Sequence, residues 1–382
     1  MTLNYDIADF LANSWQKKPC LIKQGFAAFS DLISPEILAG LAMEEGADSR
    51  IVQTNANTDS GWQVIHGPFE EYESFGESDW TLLVQSVNEW VPEVGELLQP
   101  FRFLPDWRLD DVMVSFSCEN GGVGPHVDQY DVFIIQGAGK RRWRVGNRQP
   151  LQELQPTEDL CLVNNDFNVV IDEELESGDV LYIPAGCPHD GIALEPSLNY
   201  SVGFRAPSQA ELLWQLGDSA MANDVLTKRY TDPDSQAPSS GYEITEQQLD
   251  AVKSLLIEAI SSDESSDLIA RLLSQSKRPL VEPELPVTAE QIPAMLEQGA
   301  AFIERAPGAR LLRLNNDTFY LNGEKLEVPE AAQQAATQLA KMHGSAHVTE
   351  LKATFSTPES QAFLAEVINL GGYYFFIDEA PE

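Results

Sequence analysis

From residue 110 onward the chain alternates short apolar runs of strand type with turn-forming residues. DDVMVSFS (110–117), QYDVFIIQG (129–137), RRWRVG (141–146), FNVVIDEEL (167–175), DVLYIPAG (179–186) and NYSVGFRA (199–206) are separated by turns rich in Gly, Asn and Pro. Many short strands closed in this way predict an antiparallel barrel or jelly roll. A more helical stretch precedes them. In LISPEILAGLAMEE (32–45), Ser34 is placed to cap a helix and Pro35 to open its first turn.

After FRAPS the pattern turns helical. AELLWQLGDSAMANDVLTKRY (210–230) has helical apolar spacing, and the turn-rich TDPDSQAPSSG (231–241) follows it. In ITEQQLDAVKSLLIEAI (244–260), Thr245 and Gln248 form a capping box, and Leu249, Val252, Leu256 and Ala259 share one stripe. Helices this few cannot make a core alone, so they are expected to pack on each other and on a second copy of the chain. The proline-rich KRPLVEPELPV (277–287) announces another domain. The remainder reads as helix, hairpin, helix, helix and strand, with an Asn322–Gly323 turn in LLRLNNDTFYLNGEKLEVP (311–329) and a terminal GGYYFFI (371–377). That order predicts a winged helix. The expected division is a β-domain at 1–207, a helical dimerisation region at 208–280 and a winged-helix domain at 281–382.

Charge narrows the partners. Acidic residues outnumber basic ones by 60 to 24, for a net charge of −36. Such a surface repels phosphate backbones and steers basic proteins or peptides toward it, although solubility alone also accounts for excess acid. Residues 281–382 hold six basic and fifteen acidic side chains, the wrong sign for a DNA-binding winged helix, so a structural or protein-contacting module is expected there. The four cysteines are scattered without a C-x-x-C pair, which argues against a disulfide scaffold or structural zinc. Neither a leader-like N-terminus nor an apolar run of about 18 residues is present, so a cytoplasmic, reduced protein is expected.

The chemistry concentrates in the strands. His126 and Asp128 lie two apart and therefore share a face of an extended segment. With His189, at the end of the Gly- and Pro-bent SGDVLYIPAGCPHDG (177–191), they form the sequence pattern of a 2-His-1-carboxylate facial triad. Three ligands on one face leave positions for small molecules and suit iron(II) oxygen chemistry. His66 lacks a matching partner and is read as a surface residue or one that supports the ligands from behind; His343 and His347, one helical turn apart without a carboxylate nearby, are read as surface residues, and Cys187 as packing. In RRWRV, Arg141 shares a face with Trp143 and Val145, opposite Arg142 and Arg144, and so points into the barrel. A guanidinium there needs a carboxylate, supplied either by an internal Asp or Glu or by a bound dicarboxylate. Met113, Ser115 and Ser117 share the inward face of their strand, where the hydroxyls can assist such an acid. Asn199 and Ser201 line the same cavity from the last strand.

These residues carry a resemblance. HVD (126–128), Arg141 in KRRW (140–143) and GDVLYIPAGCPH (178–189) resemble the JmjC branch of the 2-oxoglutarate-dependent oxygenases. FLANSWQKKPCLI (10–22) is similar to the opening segment of the ribosomal oxygenases within that branch, and the later helical and winged-helix blocks match their architecture. The resemblance implies a JmjC jelly roll (double-stranded β-helix) binding Fe(II) at His126, Asp128 and His189. Its cosubstrates are 2-oxoglutarate and O2, with the distal carboxylate of 2-oxoglutarate on Arg141 and a serine hydroxyl and Asn199 alongside. It further implies a homodimer that hydroxylates an arginine at C3 in a basic ribosomal protein, the sixteenth of the large subunit. Two other readings stay open: a cupin-type metal enzyme that does not use 2-oxoglutarate, and a non-catalytic winged-helix ligand sensor.

Overall fold

The computed structural model describes residues 1–54, 57–233, 241–298 and 301–377, so most of the turn-rich 231–241 segment lies outside the described residues. It separates into two compact units, Met1–Ala206 and Pro207–Glu382.

The strands of the first unit are, in chain order, β1 (Cys20–Ile22), β2 (Ser49–Thr54), β3 (Trp62–His66), β4 (Trp80–Val84), β5 (Leu109–Ser117), β6 (His126–Val127) and β7 (Val132–Gln136). They continue as β8 (Arg141–Gly146), β9 (Glu153–Thr157), β10 (Leu160–Val163), β11 (Val169–Leu175), β12 (Val180–Ile183), β13 (Pro188–Ala193) and β14 (Ser197–Phe204). A major eight-stranded sheet has the order β1-β12-β7-β14-β5-β4-β2-β3, and a minor sheet the order β11-β8-β13-β6. The pairings are antiparallel, as in the expected jelly roll.

Strand alternation assigns the two faces of the major sheet. Val112, Val114, Phe133, Ile135, Tyr182, Tyr200 and Val202 join one core with Phe10 and Leu38 from α1 (Ile7–Asn13) and α2 (Pro35–Leu41). Fully burying each such side chain contributes about 1.5–3 kcal/mol. Ser34 caps α2 and Pro35 opens it, as the sequence predicts. The opposite face of β7 and β12 (Val132, Ile134, Leu181, Ile183) meets Trp143, Val145 and Leu175 of the minor sheet in a second core between the sheets. Cys187 packs in that core. Toward the Arg141 end the same inner face turns polar, with Ser115, Gln136, Ser197 and Asn199 all buried. A barrel interior that changes from apolar to polar marks where a ligand goes.

In the second unit α3 (Gln209–Ala222), α4 (Glu246–Ile260) and α5 (Asp263–Ser274) come first, and the Thr245–Gln248 capping box forms on α4 as predicted. Asn322 and Gly323, both at positive φ (48° and 86°), close the hairpin between Thr318–Leu321 and Glu324–Glu327. This is the geometry that Asn-Gly favours in two-residue turns. Two features go beyond the sequence reading. Leu311–Arg313 adds a third strand to the hairpin, and GGYYFFI contributes Tyr373–Ile377, which pairs with a strand at Ala301–Arg305 rather than with the hairpin. Helix α5 hydrogen-bonds to the hairpin through Arg271 Nη1 to the Gly323 carbonyl (2.9 Å) and Tyr320 Oη to Asp267 (2.8 Å).

Candidate active site

β6 pairs with β13 so that His126 stands directly opposite His189. The imidazole centroids are 4.2 Å apart, and Asp128 Oδ2 lies 3.6 Å from His189 Nε2. One ligand atom from each of His126, Asp128 and His189 falls within 4.8 Å of the others, the grouping of this kind found among the described residues. His126 Nδ1 contacts the Gly124 carbonyl at 2.8 Å and His189 Nδ1 the Cys187 carbonyl at 3.1 Å. A carbonyl only accepts, so each Nδ1 carries the proton and donates. This tautomer leaves each Nε2 lone pair free for a metal, the usual way ligating histidines are oriented. His189 is buried, and burial first, then His126, pushes its pKa down to about 4. It therefore remains a neutral ligand at physiological pH. Gly124 is required in the turn before His126: its φ is +77°, and a Cβ would come within 2.7 Å of the Trp62 ring.

Arg141 is 4% exposed. Its Nε donates to Ser197 Oγ (2.9 Å), Nη1 to Ser115 Oγ (3.2 Å), and Nη2 to the carbonyls of Ser115 (3.3 Å) and Ser197 (3.2 Å). No carboxylate pairs with it among the described residues, and burial lowers its pKa to about 9, so it is still charged at neutral pH. Of the two partners left open by the sequence, the internal acid is therefore absent. Asn199, in register with Ser115 across β14 and β5, has both side-chain amide atoms buried without a hydrogen-bond partner. A buried cation without a counter-charge and an unsatisfied amide together fit an incoming carboxylate.

Not every expected residue joins this pocket. Ser117 is fully buried, but its hydroxyl engages Thr81 Oγ1 at 2.7 Å rather than Arg141. β4 lies beside β5 and presents Thr81 opposite Ser117. Ser197 takes the place beside Arg141, a residue that sequence reasoning missed although it shares a strand face with Asn199. His66 lies apart, against Asp159 at 3.4 Å.

The JmjC domain family pattern matches residues 96–212, and the ROXA-like winged helix pattern residues 256–374. Over 98% of both chains the sequence is 44% identical to the ribosomal protein uL16 3-hydroxylase of Escherichia coli K12. The chain belongs to the JmjC ribosomal oxygenases. A probable ribosomal oxygenase of Haemophilus influenzae is 31% identical over 83% of this chain and 81% of its own length. Among solved structures, the E. coli ribosomal oxygenase YcfD in complex with cobalt and 2-oxoglutarate superimposes with a TM-score of 0.86 at 42% identity. That alignment covers 98% of this chain and 99% of that one. Within this family fold the winged-helix match starts at residue 256, inside α4, in keeping with the hydrogen bonds that tie α5 to the hairpin.

Proposed function

We propose that the protein is an iron(II)- and 2-oxoglutarate-dependent hydroxylase that oxidises C3 of an arginine side chain in a large-subunit ribosomal protein of the uL16 type. The observation that carries this reading is Arg141, charged, buried and without a carboxylate partner among the described residues, in the same barrel as the two histidines and Asp128. His126, Asp128 and His189 are the metal ligands. Arg141, with Ser115, Ser197 and Asn199, holds the distal carboxylate of 2-oxoglutarate, while Ser117 supports Ser115's strand through Thr81. Bound iron(II) and 2-oxoglutarate supply O2 activation, coupling decarboxylation to succinate and CO2 with insertion of one oxygen atom into a substrate C–H bond. The protein's own contribution is to fix the two Nε2 lone pairs, to keep His189 unprotonated and to exclude water from the Arg141 pocket. A metal enzyme that did not use the acid would leave Arg141 uncompensated, and nothing about a ligand sensor requires the histidine tautomers that the carbonyl contacts of His126 and His189 imply. The net charge of −36 suits a basic substrate rather than a nucleic acid. Among the described residues no helix is long and apolar enough to cross a membrane, and the cytoplasm, where ribosomal proteins are made, is the proposed setting. Mass spectrometry of ribosomal proteins incubated with the enzyme, iron(II) and 2-oxoglutarate tests the reading. A gain of one oxygen on an arginine of the uL16 protein is expected, and unmodified ribosomal proteins would overturn it.

The region 208–280 is proposed as a homodimerisation element attached to a winged-helix domain at 281–382. α4 buries none of its side chains within the chain, and Trp214, Leu256 and Ile257 are 71%, 58% and 63% exposed. An apolar surface of this kind calls for a partner, and a second copy offers the same stripe. The Leu256→Asp, Ile257→Asp double variant is expected to convert a dimer to a folded monomer in light scattering. An unchanged mass would remove α4 from the interface.

A further inference from the structure

Four residues join β6 to β7, and they end in two carboxylates with opposite surroundings. Among the described residues the carboxylate of Asp128, at the start, has no hydrogen-bond partner; His189 Nε2 lies 3.6 Å from it. The aim of that carboxylate is therefore set by its backbone. Gly186 N–H donates to the Asp128 carbonyl at 2.8 Å and holds the first end. Asp131 holds the other. Its carboxylate is completely buried and accepts from Tyr182 Oη (2.7 Å), Gln16 Nε2 (3.0 Å) and Arg108 Nη2 (3.3 Å). Its carbonyl takes the Phe204 N–H at 3.0 Å.

The cation in this set is itself locked. Arg108 Nε donates to the Arg205 carbonyl (2.6 Å), and its guanidinium lies over the rings of Trp15 and Trp107 at 5.6 and 5.5 Å. The side-chain donors come from segments outside the loop, and together they satisfy the hydrogen-bonding capacity of the buried carboxylate. An exposed connection of four residues needs no such anchor. A ligand-bearing loop does, because a displacement of about 0.5 Å is enough to spoil a metal site.

We propose that Asp131 is a positioning residue for the metal centre: by pinning the loop to Arg108, Tyr182 and Gln16 it fixes the direction of the Asp128 carboxylate. This rests on the reading of His126, Asp128 and His189 as metal ligands. The test titrates cobalt(II) into the full-length protein, well below its melting temperature. Affinity is read by calorimetry and coordination by the visible absorption of the cobalt. Asp131→Asn keeps the shape but turns an acceptor into a donor facing the Arg108, Tyr182 and Gln16 donors. It is expected to bind cobalt about 10- to 100-fold more weakly, the loss typical of outer-sphere changes at metal sites, with an altered spectrum at saturation. Tyr200→Phe removes a comparable tyrosine–aspartate bond (Tyr200 Oη to Asp31, 3.1 Å) away from the loop, and should lower the melting temperature without moving affinity or spectrum. An Asp131→Asn protein that is merely less stable, with wild-type affinity and spectrum, overturns the proposal. If Asp131→Asn does not fold, Tyr182→Phe, which removes one donor, decides by the same readouts: a weaker, spectrally changed site supports the role, and a wild-type one overturns it. A wild-type protein that takes up no cobalt would instead overturn the metal-site reading, and the positioning role with it.

Discussion

Replacing His189 by alanine is expected to end turnover and to weaken metal binding by at least about 100-fold, more than the loss typical of changing a group that only orients a ligand. His189 is buried, its Nδ1 is committed to the Cys187 carbonyl, and its Nε2 faces Asp128. No other side chain in the grouping can take its place, because His126 and Asp128 already occupy the remaining corners. His66→Ala removes a histidine of the same chemistry beside Asp159 on the surface, and should leave both properties unchanged. Metal content and oxygen incorporation into a uL16-derived peptide are the two measurements. A His189→Ala protein with full activity would show that the third ligand lies elsewhere.

Sequence patterning reaches this site unevenly, for physical reasons. His126 and Asp128 could be paired because residues two apart on a strand share a face, and that local rule survives folding. The same alternation placed Arg141 with Trp143 and Val145 inside the barrel, where all three are buried. Whether Arg141 met an internal acid could not be read, since its neighbours come from β5 and β14, 26 and 56 residues away. Ser115 and Ser117 look equivalent along β5; only the arrival of β4 gives Ser117 a partner in Thr81. Asp131 is subject to the same limit more severely. Its donors lie at residues 16, 108 and 182, so an unremarkable loop aspartate in the sequence becomes a fully buried anchor in the fold. In the second unit the Asn-Gly turn and the Thr245 cap are local and were legible. The pairing of the terminal strand with Ala301–Arg305 was not, because it joins segments some seventy residues apart.

Arg141→Met should separate stability from function. In the wild-type protein a charged guanidinium is held in the barrel by two hydroxyls and two carbonyls, with no carboxylate among the described residues to offset its desolvation. Replacing an uncompensated buried charge by an apolar side chain of similar length is neutral or stabilising. Without 2-oxoglutarate, the methionine protein is therefore expected to melt no lower than wild type. The cosubstrate reverses the order. Loss of one partner from a buried, hydrogen-bonded charge pair costs about 2–5 kcal/mol, so the 2-oxoglutarate concentration needed for half-maximal rate should rise by about 30-fold or more. Added 2-oxoglutarate raises the melting temperature of the wild type by mass action and should leave the variant nearly unmoved. Arg141→Lys keeps the charge but loses the planar two-point grip, and should fall between the two. An unchanged cosubstrate requirement in Arg141→Met would mean that another group holds the acid. A large drop in the melting temperature of the cosubstrate-free variant would mean that the serine contacts, rather than a bound carboxylate, are what Arg141 is for.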